Sequence, residues 1–194
     1  GLGDVYKRQL INKALNISKN QYGPVHINVP FNEPLYGLTN KLYEFNTPLD
    51  RSNKSNDPSV SFLKLKKWKS AKKKLVLVGV NPPDKIDNSI IKALANDSSV
   101  IVLTETTSNL HHSNFFPFVD QLITPLLDSQ FKFLKPDILL TFGGLIISKR
   151  IKAFLRKYKP NDHWHVDNYR ANDTFFSLTK HFKCEPNELS LIHI

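Results

Sequence analysis

Short apolar runs that alternate with helical stretches constrain the fold of this chain more than any other feature of its sequence. The first run, Leu75–Val80, is apolar throughout, and three similar runs and a candidate fifth follow it: Ser99–Thr104, Asp137–Phe142, His163–Val166 and Thr179–Cys184. Continuously apolar strands are typical of parallel sheets, which are buried on both faces. Strands that alternate with helices indicate right-handed βαβ units. The sequence therefore predicts an α/β fold: a central Rossmann-like parallel sheet with helices on both faces.

Helical spacing occupies the intervals between these runs. A Lys-rich helix precedes the first strand, and a second helix opens at Pro82-Pro83-Asp84 and continues through Leu94. Phe118–Leu127 is a third helical stretch, and a fourth helix follows Gly143-Gly144 and stops near Pro160. We assign this central domain to residues 60–186.

The first part of the chain indicates a piece of a second domain. Leu10–Lys19 has the spacing of a helix, and Val25–Val29 alternates like a short strand closed by Pro30. We interpret residues 10–36 as a helix–strand stub that ends another α/β domain. Residues 37–59 contain few apolar side chains and are predicted to be a linker.

Both ends of the chain depart from these patterns. Residues 1–9 and 187–194 continue no neighbouring periodicity, and we expect them to be non-native ends. The sequence contains no Met, so it does not begin at its own start codon. We therefore expect the chain to be a fragment of a longer protein.

Composition limits the cellular setting and the partners. The single Cys excludes a disulfide framework and favours a reducing compartment. No apolar run approaches the roughly 20 residues that a membrane helix needs. We expect a cytoplasmic protein with no membrane association. The net charge of +10 suits either an anionic partner or a solvated Lys-rich surface.

Much of that charge lies in one segment, where seven lysines surround Trp68: Lys64, Lys66, Lys67, Lys69, Lys72, Lys73 and Lys74. A nucleic-acid patch is one interpretation. Surfaces that bind nucleic acid usually include Arg and exposed aromatic side chains, and this run contains no Arg. We therefore favour a solvated helix with Leu63 and Trp68 packed inward, and we expect no nucleic acid partner.

Ligands of open α/β sheets bind at the carboxyl ends of the strands, and two features there are informative. No G-x-G-x-x-G follows a strand and no G-x-x-x-x-G-K-[ST] occurs, so the loops that hold dinucleotides and nucleoside triphosphates are missing. Lys149 and Arg150 follow Ser148 in the first turn of a predicted helix, where cations oppose the helix dipole. Together with backbone N–H groups they could receive a carboxylate, or they could begin a solvated basic face.

The histidines and the cysteine carry weaker signals. His163 and His165 share one face of a strand, and His181 and Cys184 lie nearby in sequence. Zinc sites need three or four ligands at defined spacing, so we favour ordinary strand histidines and expect no metal site in this chain. Cys184 lacks the partners of a nucleophile, and we expect no catalytic residue here.

Three ordered motifs resemble one enzyme family. Gly23–Pro30 (GPVHINVP) resembles the segment that closes the pyrimidine-binding domain of thiamine-diphosphate enzymes. Phe31–Tyr36 (FNEPLY) is similar to its continuation in the 2-succinyl-5-enolpyruvyl-6-hydroxy-3-cyclohexene-1-carboxylate synthase (MenD) family. Pro136–Gly144, followed by Ser148–Arg150, resembles that family's strand, glycine turn and helix start. Trp164–Asp167 resembles its Tyr-Trp-x-Val-Asp strand, with a histidine in place of the more usual Tyr.

The resemblance implies a three-domain enzyme of the menaquinone pathway, in which residues 10–36 end the pyrimidine-binding domain and residues 60–186 form the central domain. The family uses thiamine diphosphate and Mg²⁺ to decarboxylate 2-oxoglutarate, and the resulting carbanion adds to isochorismate with release of CO₂. Lys149 and Arg150 match the basic pair through which the central domain contacts the carboxylated substrate. The resemblance also implies a homodimer or homotetramer.

Two parts of the family's cofactor site are missing from the sequence. The activating glutamate would lie upstream of residue 10, and the Gly-Asp-Gly…Asn segment that holds Mg²⁺ and diphosphate would lie downstream. We therefore expect the fragment alone to bind neither cofactor nor metal and to be inactive. The alternatives are a different thiamine-diphosphate enzyme, whose expected nucleotide-binding pattern is absent, and a stand-alone α/β module that binds a small carboxylate without catalysis.

Overall fold

The structure, a computed structural model, describes residues 2–21, 23–30 and 62–189. The chain divides into two compact units, residues 1–55 and 56–194. In the first unit, helix α1 spans Leu2–Gln21, so the helix predicted for Leu10–Lys19 is present and begins earlier than expected. The predicted domain boundaries and non-native ends stay predictions, and the predicted linker, residues 37–59, lies outside the described residues.

The strand predicted at Val25–Val29 is not formed. Residues 23–30 are extended without strand pairing to any described residue, and the side chains of Val25, Ile27 and Val29 are 37%, 42% and 54% exposed. A strand needs a neighbour's backbone hydrogen bonds and a surface on which to bury its apolar face. Apolar alternation in the sequence indicates a suitable segment but does not supply that neighbour.

The second unit is built on a five-stranded sheet in the order β2-β1-β3-β4-β5, and every neighbouring pair is parallel. The strands are β1 Lys74–Val78, β2 Val100–Thr104, β3 Ile138–Phe142, β4 Asp162–Val166 and β5 Leu178–Phe182. The helices are α2 Phe62–Ser70, α3 Asn88–Asn96, α4 Val119–Ile123, α5 Asp128–Leu134 and α6 Lys149–Lys157. The predicted α/β fold with a Rossmann-like parallel sheet is confirmed.

Each face of the sheet carries its own apolar core. Every residue of β1 and β3 is buried, which explains why these strands are apolar without alternation. On one face, Val76 and Leu140 pack in the cluster that includes Trp68 of α2 and Ile90 and Leu94 of α3. On the other face, the cluster joins Leu75, Leu77 and Leu139 to α4 and α6 through Val119, Ile123, Ile151, Phe154 and Leu155. Helices therefore cover both faces.

Two predicted helices differ from the observed ones, one at a proline and one at a turn. The stretch Phe118–Leu127 breaks after Ile123, and the chain resumes as α5 at Asp128. Pro125 lies in this gap, and a proline lacks the N–H donor that would continue the helix. The helix predicted to open at Pro82-Pro83-Asp84 begins only at Asn88, because the chain turns at Asp84 with a positive φ of 54°.

The Lys-rich segment has a buried aromatic side and a charged outer side. Trp68 is 5% exposed and its ring centroid lies 6.0 Å from that of Trp164. Lys67 pairs with the carboxylate of Asp162. Lys74 is buried in β1, where its Nζ donates to Asp97 at 3.0 Å and to Ser99 at 2.7 Å. The buried ring of Trp68 is therefore not available for stacking on a base. Its burial agrees with the predicted solvated helix, in which Trp68 packs inward.

The ends of β1 and β3 lie against each other with no side chain between them. The Gly79 N–H donates to the Phe142 carbonyl at 2.9 Å, and the Gly144 N–H donates to the Val80 carbonyl at 2.7 Å. A Cβ added at Gly79 would lie well under 3.0 Å from the Gly144 carbonyl oxygen. Gly143 adopts a φ of +82°, which favours glycine. The two strand ends meet so closely because both carry glycine.

Gly79→Ala should therefore lower the free energy of unfolding by at least the ~1–3 kcal/mol typical of overpacking, because the methyl group would meet backbone that cannot rotate away. Gly144→Ala is the matched control, since its Cβ would meet the Val80 Cβ at 3.3 Å and needs only a small adjustment. Urea unfolding followed by tryptophan fluorescence measures both. Equal losses of unfolding free energy in the two variants would contradict the close contact between Gly79 and the Gly144 carbonyl.

Candidate functional site

The strand order places the candidate site at the carboxyl edge of β1 and β3. In a sheet of this order the direction of chain progression reverses between β1 and β3, and ligands of open α/β sheets usually enter the crevice there. In this structure the backbone contact between Gly79 and Gly144 fills the crevice. A ligand at this edge must therefore be met by the loops and side chains above the strands.

Lys149 and Arg150 lie on the loop-to-helix junction at this edge. They are the first two residues of α6, and both side chains are exposed. Neither makes an ion pair or a side-chain hydrogen bond with any other residue that the structure describes. The structure thus brings together the two residues that the sequence singled out and leaves both cations open to solvent.

The backbone N–H groups that lead into α6 are already engaged by a carboxylate of the protein. The Ile147 N–H donates to both carboxylate oxygens of Glu105, at 3.1 and 2.8 Å, and the Ser148 N–H donates to one of them at 2.6 Å. Ser148 caps the helix by accepting from the Ile151 N–H at 3.1 Å, and its hydroxyl donates to Asp120. The expectation that these amides help to receive an external carboxylate therefore needs correction, because Glu105 already accepts from them.

Glu105 and Asp120 also explain how two cations are tolerated at a helix N-terminus. An exposed cation there opposes the helix dipole by about 0.3–1 kcal/mol. Two carboxylates lie in the same place, one on the loop after β2 and one in α4. Negative charge at a helix N-terminus is favourable, so the local charge is balanced without either carboxylate pairing directly with Lys149 or Arg150.

Exposed apolar side chains lie beside the two cations. Leu145 is 74% exposed and Ile147 is 58% exposed, both in the loop that joins β3 to α6, and Val80 at the end of β1 is 42% exposed. The edge therefore offers apolar contact next to positive charge. A small carboxylate that also carries a carbon ring or chain would match both properties.

The sequence did not single out Glu105 or Asp120 as members of this site. A weak signal exists for Glu105, since it directly follows β2 and so must lie at the carboxyl edge. Its partners are 42 and 43 positions away in the chain, and no local pattern records such a pairing. Asp120 carries no signal apart from its place in the first turn of a helix.

The histidines form a separate, buried cluster around one hydroxyl group. Thr141 Oγ1 on β3 lies 2.9 Å from His163 Nε2 and 2.8 Å from His165 Nδ1. Burial, followed by the nearby charge of His165, lowers the pKa of His163 to about 4, and burial also lowers the pKa of His165. No group of three or more His, Cys, Asp or Glu side chains within the described ranges could hold a metal ion. In the described part of the chain, His163 is a buried and His165 a half-buried partner of the Thr141 hydroxyl.

Cys184 is buried, and its surroundings disfavour the thiolate. Burial, reinforced by the charges of Glu188 and Glu185, raises the pKa of its thiol to about 11. The thiolate is the reactive form of cysteine, and a raised pKa suppresses it at neutral pH.

Among the helices that the structure describes, none is long and apolar enough to cross a bilayer.

Comparison with known proteins assigns the chain to a family. The model described as "middle domain of thiamine pyrophosphate" matches residues 43–193. The chain belongs to this family. Relatives named 2-succinyl-5-enolpyruvyl-6-hydroxy-3-cyclohexene-1-carboxylate synthase include those of Flavobacterium johnsoniae, 49% identical over 92% of this chain, Flavobacterium psychrophilum, 50% over 91%, and Christiangramia forsetii, 46% over 88%.

These relatives are much longer than the chain. The chain covers 33%, 32% and 31% of the three proteins, so it spans about a third of their length. Among solved structures, an exopolyphosphatase-related protein from Bacteroides fragilis has a TM-score of 0.39 at 13% identity, over 61% of this chain and 37% of that one. That likeness is too low to support an argument.

The buried histidine cluster predicts a pH-dependent stability. His163 stays neutral in the folded chain down to pH about 4, whereas an unfolded histidine takes up a proton near pH 6.5. The stability that its neutral form contributes is therefore complete above pH 6.5 and is lost as the pH falls from 6.5 towards 4, by at most ~1.4 kcal/mol per pH unit. Urea midpoints between pH 7 and pH 4.5, read from the fluorescence of Trp68 and Trp164, measure this slope.

Two variants separate His163 from the other titrating groups. His163→Gln can still bond to Thr141 but does not titrate, so the pH slope should become shallower by up to one proton. His111→Gln, which changes an exposed histidine, should leave the slope as it is. An unchanged slope in His163→Gln would show that His163 titrates normally in the folded chain.

Proposed function

We propose that this chain is the central part of a thiamine-diphosphate-dependent transferase of menaquinone biosynthesis, which decarboxylates 2-oxoglutarate and transfers the succinyl unit to isochorismate with release of CO₂. The observation that carries the proposal is the pair of open cations, Lys149 and Arg150, at the carboxyl edge of a sheet whose usual ligand crevice is closed. The names of the relatives, which describe a carboxylate synthase, support it.

The proposed role of the two cations is to bind and orient a carboxylated substrate. Arg150 can hold a carboxylate through two parallel N–H donors, whereas Lys149 contributes a compact charge on a flexible stem. Isochorismate carries two carboxylates and a carbon ring. The exposed side chains of Leu145 and Ile147 offer the apolar contact that such a ring would make.

We further propose that thiamine diphosphate and Mg²⁺ are held by other parts of the full-length protein. The described residues offer no group of three metal ligands, and backbone fills the crevice where an α/β sheet would hold a diphosphate. When bound, thiamine diphosphate supplies the electron sink for decarboxylation. The part played by this chain is then substrate binding and orientation. A homodimeric or homotetrameric, cytoplasmic enzyme is part of the same proposal.

Arg150→Ala in the full-length enzyme should lower kcat/KM for isochorismate by the equivalent of ~2–5 kcal/mol, if the contact is buried by substrate. The loss should appear mainly as a raised KM. Lys159→Ala removes the same charge just beyond the opposite end of α6 and should leave the kinetics unchanged. Steady-state assays with each substrate varied in turn measure the effect, and normal kinetics for Arg150→Ala would reduce the pair to ordinary surface charge.

The chain made alone should bind no thiamine diphosphate and show no turnover, because the residues that we expect to hold the cofactor belong to other domains. Calorimetric titration with thiamine diphosphate and Mg²⁺ measures this directly. Saturable binding in the micromolar range would overturn the proposed division of the cofactor site.

The alternative function, a stand-alone module that binds a small carboxylate, draws on the same open cations. It predicts that the chain alone binds a dicarboxylate such as succinate or 2-oxoglutarate with saturation, and that Arg150→Ala abolishes the binding. The proposed synthase fragment, in contrast, should show no saturable binding of either compound, since the remainder of its substrate site is supplied by other domains.

A further inference from the structure

The loop that presents Lys149 and Arg150 has little apolar anchoring of its own. It runs from Gly143 to Ser148 without regular structure, and the side chains of Leu145 and Ile147 point to solvent. Only Ile146 packs against a core cluster, as a partly buried neighbour. The position of the two cations therefore depends on polar contacts along this loop.

Glu105 supplies the charged contact of the loop. Its carboxylate accepts from the N–H groups of Ile147 and Ser148, directly before the two cations. Hydrogen bonds to an ionised acceptor are about twice as strong as neutral ones. The other loop contacts include backbone bonds from the Gly144 N–H to the Val80 carbonyl, at 2.7 Å, and from the Val80 N–H to the Leu145 carbonyl, at 3.4 Å. Lys152 Nζ donates to the Ile146 carbonyl at 3.0 Å, and the Ser148 hydroxyl donates to Asp120.

Glu105 is itself fixed to the sheet. Its N–H donates to Ser108 Oγ at 2.9 Å, and the hydroxyl of Ser108, which is fully buried, donates to the Val78 carbonyl at 2.7 Å. A single chain of hydrogen bonds thus runs from the end of β1, through the loop after β2, to the start of α6. Displacement of Glu105 would break this link at the last two residues of the loop, Ile147 and Ser148, directly before the two cations.

We propose that Glu105 is a positioning residue, which holds the loop before α6 so that Lys149 and Arg150 face the substrate. The inference rests on the proposed function, because it assigns the two cations to substrate binding. Glu105 makes no contact with the substrate in this arrangement and acts through the backbone of Ile147 and Ser148. Loss of its carboxylate leaves both cations in the protein but no longer fixes their direction.

The test uses the full-length enzyme with its cofactor. Glu105→Ala should raise KM for isochorismate about tenfold, the order expected when charged hydrogen bonds to the loop are lost, while kcat changes less. Glu105→Gln keeps one acceptor oxygen and should show a smaller increase. Asp128→Asn is the control, since that carboxylate pairs with Lys157 and Tyr158 near the other end of α6 and should leave KM unchanged.

A double variant decides whether Glu105 acts through the cations. In an Arg150→Ala background, Glu105→Ala should raise KM by a smaller factor than it does in the wild type, because Lys149 is then the one member of the pair left to position. Full additivity of the two changes would overturn the inference, as would an unchanged KM in both Glu105 variants. Thermal unfolding of each variant is measured in parallel, and a lowered melting temperature without a changed KM would assign Glu105 a purely structural role.

The outcomes separate this inference from the proposed function. If Arg150→Ala raises KM and neither Glu105 variant does, the proposed function stands and the positioning role is wrong. If Arg150→Ala leaves the kinetics unchanged, the assignment of the basic pair to the substrate fails, and the positioning role fails with it. A raised KM in both single variants, without additivity in the double variant, supports both.

Discussion

The backbone contact between the ends of β1 and β3 is the constraint on which the site depends. Gly79 and Gly144 meet with no room for a side chain between them, and hydrogen bonds join the two strand ends in both directions. The crevice in which related sheet orders hold a nucleotide is therefore filled by the protein itself. The loop after β3 leaves from this contact, and α6 begins where Ser148 caps it.

Charge balance follows from that geometry. The loop after β3 brings the first turn of α6 next to Glu105 and Asp120. Glu105 accepts from the backbone N–H groups and Asp120 from the Ser148 hydroxyl, and the charge of both carboxylates offsets the dipole, which would otherwise disfavour two cations at this position. Lys149 and Arg150 are thereby free to point away from the protein. The N–H groups before α6 are thus engaged within the protein, and the side chains of Lys149 and Arg150 are the charged groups that face solvent.

Features with a local signal were predictable, and features that depend on distant partners were not. The apolar runs predicted the strands because β1 and β3 are buried at every position. Pro125 could have been recognised as a helix break, and the break was missed because apolar spacing continues across it. The prediction of a strand at Val25–Val29 was wrong, because an alternating pattern says nothing about whether a neighbouring strand is present. Lys149 and Arg150 were found from a motif, whereas the pairing of Glu105 with a loop 42 residues away leaves no pattern in the sequence.

The same edge of a parallel sheet can therefore serve two kinds of anion. A ring of backbone N–H groups at a helix N-terminus suits a compact diphosphate, which accepts several short hydrogen bonds in one place. A dicarboxylate presents two separated planar groups, for which long side chains with charged tips are better suited. Under the proposed function, the domain favours the second kind, because Glu105 engages the N–H groups and Lys149 and Arg150 stay open to solvent. Under the proposed function, a Rossmann-like domain without a nucleotide then acts as a carboxylate-binding wall of an active site whose chemistry is supplied by the cofactor.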